Sequence, residues 1–61
     1  MEYYFFHSEW KDICIIQKDK IFRKKIINET GNYTVDNNKI IIKWDNWEGF
    51  DIFIKINDIY Y

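Results

Sequence analysis

Residues 40–56 read IIIKWDNWEGFDIFIKI, two apolar runs on either side of the short segment WDNWEG. In FDIFIKI (50–56), Phe50, Ile52, Ile54 and Ile56 fall on one side of an extended chain, and Asp51, Phe53 and Lys55 on the other. Successive side chains of a strand alternate in this way, and alternation on both sides of a tight loop points to a β-hairpin. This reading assigns much of the core to Ile40, Ile42, Trp44, Phe50, Ile52 and Ile54.

The rest of the chain repeats the pattern. Further strands are expected at YYFF (3–6), WKDICIIQ (10–17), KIFRKKII (20–27), YTV (33–35), KIIIKW (39–44) and IYY (59–61). Turn chemistry separates them at Lys18-Asp19, at NETGN (28–32), at Asp36-Asn37-Asn38 and at Asn57-Asp58. In NETGN, Gly31-Asn32 is expected to take positive φ. The thirteen Ile, five Phe, five Tyr and three Trp suit a pleated surface. Leu and Ala, the commonest helix builders, are absent. A helix over 9–26 would align Trp10, Ile13, Cys14, Gln17 and Ile21. The density of β-branched residues there and the lack of a good cap favour strands.

Sixty-one residues make at most one domain, and a chain this short buries only about 60% of its unfolded surface. Bulky aromatic side chains, at roughly 150–250 Å² each, answer that shortage. The connections are too short for parallel crossovers. The expectation is an all-β fold: a single small β domain over 1–61, an antiparallel meander of six or seven short strands. Ile41 and Phe53 oppose the apolar faces of their strands, and residues 13–16 are apolar on both sides. A half-exposed sheet should be polar outside. The sheet therefore curls into a partial barrel, or a homo-oligomer or larger parent protein covers its second face.

Net charge is −1, with +2 over residues 1–25 and −3 over residues 26–61. That gives no strong field for nucleic acid or membrane. No apolar run approaches the ~18–20 residues of a membrane span, and MEYYFF has no signal-peptide features. A single cysteine excludes an internal disulfide and fits a reducing compartment, so a cytoplasmic setting is expected.

Chemistry-bearing residues are few. His7-Ser8-Glu9 are sequence neighbours that cannot form a triad in an extended segment, and they read as a turn capped by Ser8. Cys14 reads as a small core residue. One Cys and one His fall short of a four-ligand zinc site. Asp45, Glu48 and Asp51 match no calcium-loop spacing. No cofactor, metal site or catalytic activity is expected. The sequons at Asn28 and Asn32 read as turn residues in an asparagine-rich chain. Arg23-Lys24-Lys25 beside Phe22 would suit single-stranded nucleic acid, but alternation splits the patch, and such charges also guard an edge strand.

The tryptophans are the best candidates for a site. Trp44 ends a strand on its apolar face and reads as core, with Trp10 packed near it. Trp47 sits in the loop, where it either plugs the open end of the sheet or stands exposed between Asp45, Asn46 and Glu48. An exposed aromatic plate ringed by planar polar groups suits a sugar. The candidate ligand-binding residues are therefore Trp47, Asp45, Asn46, Glu48 and Trp10.

The order W-K-D-I-C-I-I, I-F-R-K-K, G-N-Y and I-I-I-K-W-D-N-W-E-G-F, from Trp10 to Phe50, covers about two-thirds of the chain. It resembles short Trp-rich β modules attached to glycosyltransferases and sugar-related proteins of giant viruses and some bacteria. The resemblance implies a viral or bacterial accessory module near glycan synthesis, with no activity of its own. Gly49, between Glu48 and Phe50, departs from that pattern.

Overall fold

The computed structural model describes residues 1–26 and 29–61. Ile27, at the end of the third expected strand, and the sequon residue Asn28 lie outside the described residues. Seven strands are present among those described, with no helix: β1 (Glu2–Phe6), β2 (Lys11–Ile16), β3 (Ile21–Arg23), β4 (Thr30–Asp36), β5 (Lys39–Trp44), β6 (Asp51–Ile56) and β7 (Ile59–Tyr60). Each pairs with the next, and β7 returns to β1 to close a barrel.

Neighbouring strands run antiparallel, as expected. The closing pair, Tyr4 with Ile59 and Phe5 with Tyr60, is parallel. The parallel pair comes with closure and leaves the antiparallel meander as expected. In an up-and-down meander with an odd number of strands, the first and last point the same way. The crossover rule constrains only strands joined directly. As an inner strand of the meander, β3 is paired on both sides, so Arg23 does not lie on an edge strand.

The turns follow residue chemistry. Asn57 and Asp58 both have positive φ, at 51° and 66°, the two-residue hairpin turn whose twist matches its strands. Asn37 has φ 57°. Gly31 does not behave as expected. It lies inside β4 opposite Ile21 and Trp44 and is buried, and residues 30–32 continue the strand where a turn was expected.

The core is Phe5, Cys14, Ile21, Ile40, Ile42, Trp44, Phe53 and Tyr60. Phe5 stacks on Tyr60 at 4.5 Å and meets Phe53 edge-on at 5.0 Å. A barrel of about this strand number has an interior just wide enough for side chains to fill.

The expected core half of β6 is overturned. Phe50, Ile52 and Ile54 point outward, together with Ile56, and are between 44% and 69% exposed. Phe53 takes the inside. Register is the cause. Ile40 faces inward and pairs with Phe53, while Ile41 pairs with Ile52 on the outside. A one-residue slip would exchange the two faces of β6, and one Phe fills the centre beside Phe5 where an isoleucine row would not. The outer row continues sideways, since Ile56 pairs with Ile59, Ile54 bonds to Tyr61, and the Phe6 and Tyr61 rings stack at 5.6 Å.

Cys14 is fully buried, and burial pushes its thiol from the ordinary 9.0 to about 12. Burial likewise pushes the Tyr60 phenol up. Both groups are held neutral by the fold. As pH climbs, the unfolded chain loses these protons first, so the native state binds more protons and stability falls. Unfolding free energy should be insensitive to Cys14 below pH 9 and decline as pH rises from 9 toward 12. Urea titrations across that range check this. A thiol reagent should label Cys14 only through opening of the barrel, and rapid labelling of the native protein would contradict the burial.

Candidate functional site

One end of the barrel is built from the β1–β2 turn, the end of β5, the start of β6 and the loop 45–50. The turn closes with the His7 amide donating to the Trp10 carbonyl at 2.8 Å. Its cap is not Ser8. The Glu9 amide donates to His7 Nδ1 at 3.0 Å, because an imidazole nitrogen in this position reaches the amide two residues on. With Nδ1 accepting, the other ring nitrogen carries the proton, and Nε2 faces Asp51 Oδ1 at 3.4 Å. The second Asp51 oxygen accepts the Trp44 indole N–H at 2.8 Å. Asp51 thus ties the turn to the end of β5.

Trp10 is packed on several sides. His7 stacks on it at 5.1 Å, and Trp44 and Phe53 meet it edge-on. The Arg23 guanidinium sits 4.1 Å from its ring centre. Arg23 is in turn paired at 3.1 Å with the buried Asp12. Lys24 bonds to Glu2 and Lys25 to the Lys11 carbonyl, so the three adjacent basic residues are engaged in three different places.

Trp47 is 60% exposed, which settles its position in favour of the outside. It is not loose, however. Its indole N–H donates to Glu29 Oε1 at 3.0 Å, and its amide donates to the Trp44 carbonyl at 3.3 Å. Lys43 bonds to the carbonyls of both Trp44 and Trp47. Gly49 has φ 80° with open space around it, so the loop uses glycine for its conformation and not for room. That left-handed turn carries the chain from Glu48 to Phe50.

Between these groups lies an open cleft of about 140 Å³. Its walls include the three tryptophans, Arg23, and the carboxylates of Glu9, Glu29, Glu48 and Asp51. Of the five expected ligand-binding residues, the fold brings Trp47, Glu48 and Trp10 to this cleft. Asp45 and Asn46 are exposed on the same loop but do not line it. His7, Glu9, Arg23 and Glu29 come from distant parts of the chain, where spacing alone carried no signal for them, and Asp51 directly follows the loop. Most small-molecule sites occupy ~300–1,000 Å³, so this cleft holds one ring or group of a ligand and leaves the remainder to lie across the loop. No group of three potential metal ligands occurs among the described residues.

Comparison with models of known protein families, with curated proteins and with solved structures finds no match.

Proposed function

We propose that this chain is a noncatalytic carbohydrate-binding module, an accessory to glycan-handling machinery. The observation that carries the reading is Trp47: an exposed indole, anchored through its N–H by Glu29, at the rim of a cleft lined by carboxylates. A sugar ring offers apolar C–H faces and a girdle of hydroxyls. The indole face suits the first, and carboxylate oxygens, which are pure acceptors, suit the second. Anchoring reduces the side-chain entropy lost on binding. Trp10 supports the wall instead of offering a free face, since His7 and Arg23 already pack on it. In this reading the cleft holds a sugar and leaves its bonds intact.

Trp47→Ala should abolish glycan binding while leaving stability within about 0.5 kcal/mol, as for surface substitutions away from the core. Glycan-array screening followed by NMR titration checks the first part, and urea unfolding the second. Absence of any glycan signal for the wild-type chain would overturn the reading.

A further inference from the structure

Four carboxylates line the cleft that Trp47 borders, those of Glu9, Glu29, Glu48 and Asp51, against a single guanidinium, that of Arg23. Arg23 brings no free charge: its side chain is almost buried, pairs with Asp12 at 3.1 Å and packs on Trp10. The Lys43 ammonium is engaged by the carbonyls of Trp44 and Trp47 and does not line the cleft. None of the four carboxylates pairs with a lysine or arginine among the described residues. Glu29 and Asp51 accept from the indole N–H groups of Trp47 and Trp44, neutral donors that leave the carboxylate charge in place. On the footing of the carbohydrate reading, we infer that the ligand is an amine-bearing sugar, bound as its ammonium.

Charge decides between kinds of sugar. Like charges gathered on one cleft repel, and a ligand that displaces water lowers the dielectric between them and raises that repulsion. A neutral sugar leaves this cost in place, an acidic sugar adds to it, and an ammonium offsets it. An ammonium also donates three hydrogen bonds, which are strongest to ionised acceptors, and is attracted to an indole face. Glu48 and Glu9 are the carboxylates assigned to it. Both are exposed, and neither holds an indole as Glu29 and Asp51 do. Glu48 adjoins Trp47 in the loop, and Glu9 adjoins Trp10 in the β1–β2 turn. The same wall rejects uronic and other acidic sugars by repulsion.

NMR titration of the full chain, followed at the Trp47 indole, tests this with three probes near neutral pH: a glucosamine trimer, its fully N-acetylated counterpart, and tetramethylammonium. The glucosamine trimer should bind about ten-fold more tightly than the acetylated one at low ionic strength, and added salt should shrink that preference. Glu48→Gln and Glu9→Gln keep the side-chain shape and remove one charge each. Each should narrow the preference about threefold, with the circular dichroism spectrum unchanged. Equal or tighter binding of the acetylated trimer would overturn the amine assignment and leave the carbohydrate reading standing. A preference indifferent to both substitutions would overturn it too. Tetramethylammonium binding as tightly as the glucosamine trimer would show a site for cations and not for sugars. If no sugar of any charge binds, both readings fall together.

Discussion

Asp12→Ala should cost about 3–5 kcal/mol of stability. The Asp12 side chain is completely buried, and its partner Arg23 is only 9% exposed. Its oxygens accept from the Ile13 amide at 2.7 Å, the Lys25 amide at 3.2 Å and Arg23 Nε at 3.1 Å. The carboxylate therefore pins the bend after β3 to β2 and neutralises the cation packed on Trp10. Removing one partner of a buried pair costs about 3–5 kcal/mol, because the other charge stays buried without compensation. A domain of this length has roughly 3–9 kcal/mol of total stability, so the loss is at least a third of it. Urea unfolding followed by tryptophan fluorescence measures the change. A cost below about 1 kcal/mol would mean that water reaches Arg23 freely. Replacing both partners, as in Asp12→Leu/Arg23→Met, should recover only part of the stability while altering the cleft wall: an apolar pair often matches a buried ion pair, but the Ile13 and Lys25 amides lose their acceptor.

Gly31→Ala should cost about 3 kcal/mol or more, at the upper end of overpacking effects. A Cβ at this position would lie 2.5 Å from the Lys43 carbonyl oxygen and 2.9 Å from Trp44 Cα. Both are backbone atoms of the neighbouring strand, so no side chain can swing aside. Relief requires β4 and β5 to separate, which would disturb Trp44 and the Lys43 contacts that seat the Trp47 loop. The same unfolding assay, with indole chemical shifts for Trp44 and Trp47, reads both consequences. Gly49→Ala is the instructive contrast: its surroundings are open, and the penalty is only the ~1–2 kcal/mol of a left-handed alanine. The two glycines are needed for different reasons, one for space and one for φ.

This difference marks where sequence reading stops. Glycine beside asparagine reads as a turn, and Asn37, Asn57 and Asp58 do take positive φ as such residues should. Gly31 needs another strand's backbone in view before its role emerges. Trp47 was similarly ambiguous, because a loop position carries no periodicity to declare its burial. Its Glu29 anchor lies eighteen residues away, and the cleft it borders gathers side chains from the β1–β2 turn, β3 and the β5–β6 loop.

Local physics determined the fold class. Short β-branched and aromatic runs between turn residues can bury their apolar groups only as a small antiparallel sheet, and residues apolar on both faces of a strand called either for that sheet to curl or for its second face to be covered. The places of Ile40, Ile42, Cys14 and Trp44 in the core were legible for the same reason. The tertiary structure decided which face of β6 is inside. Both its faces carry apolar residues, so pattern alone favoured the longer row of Phe50, Ile52, Ile54 and Ile56. Pairing with an already oriented β5, and a barrel centre shaped for one phenylalanine, turned Phe53 inward and left the isoleucines outside. Closure decided the rest: seven strands bring β7 parallel to β1, a consequence of strand number that no local stretch of the chain records.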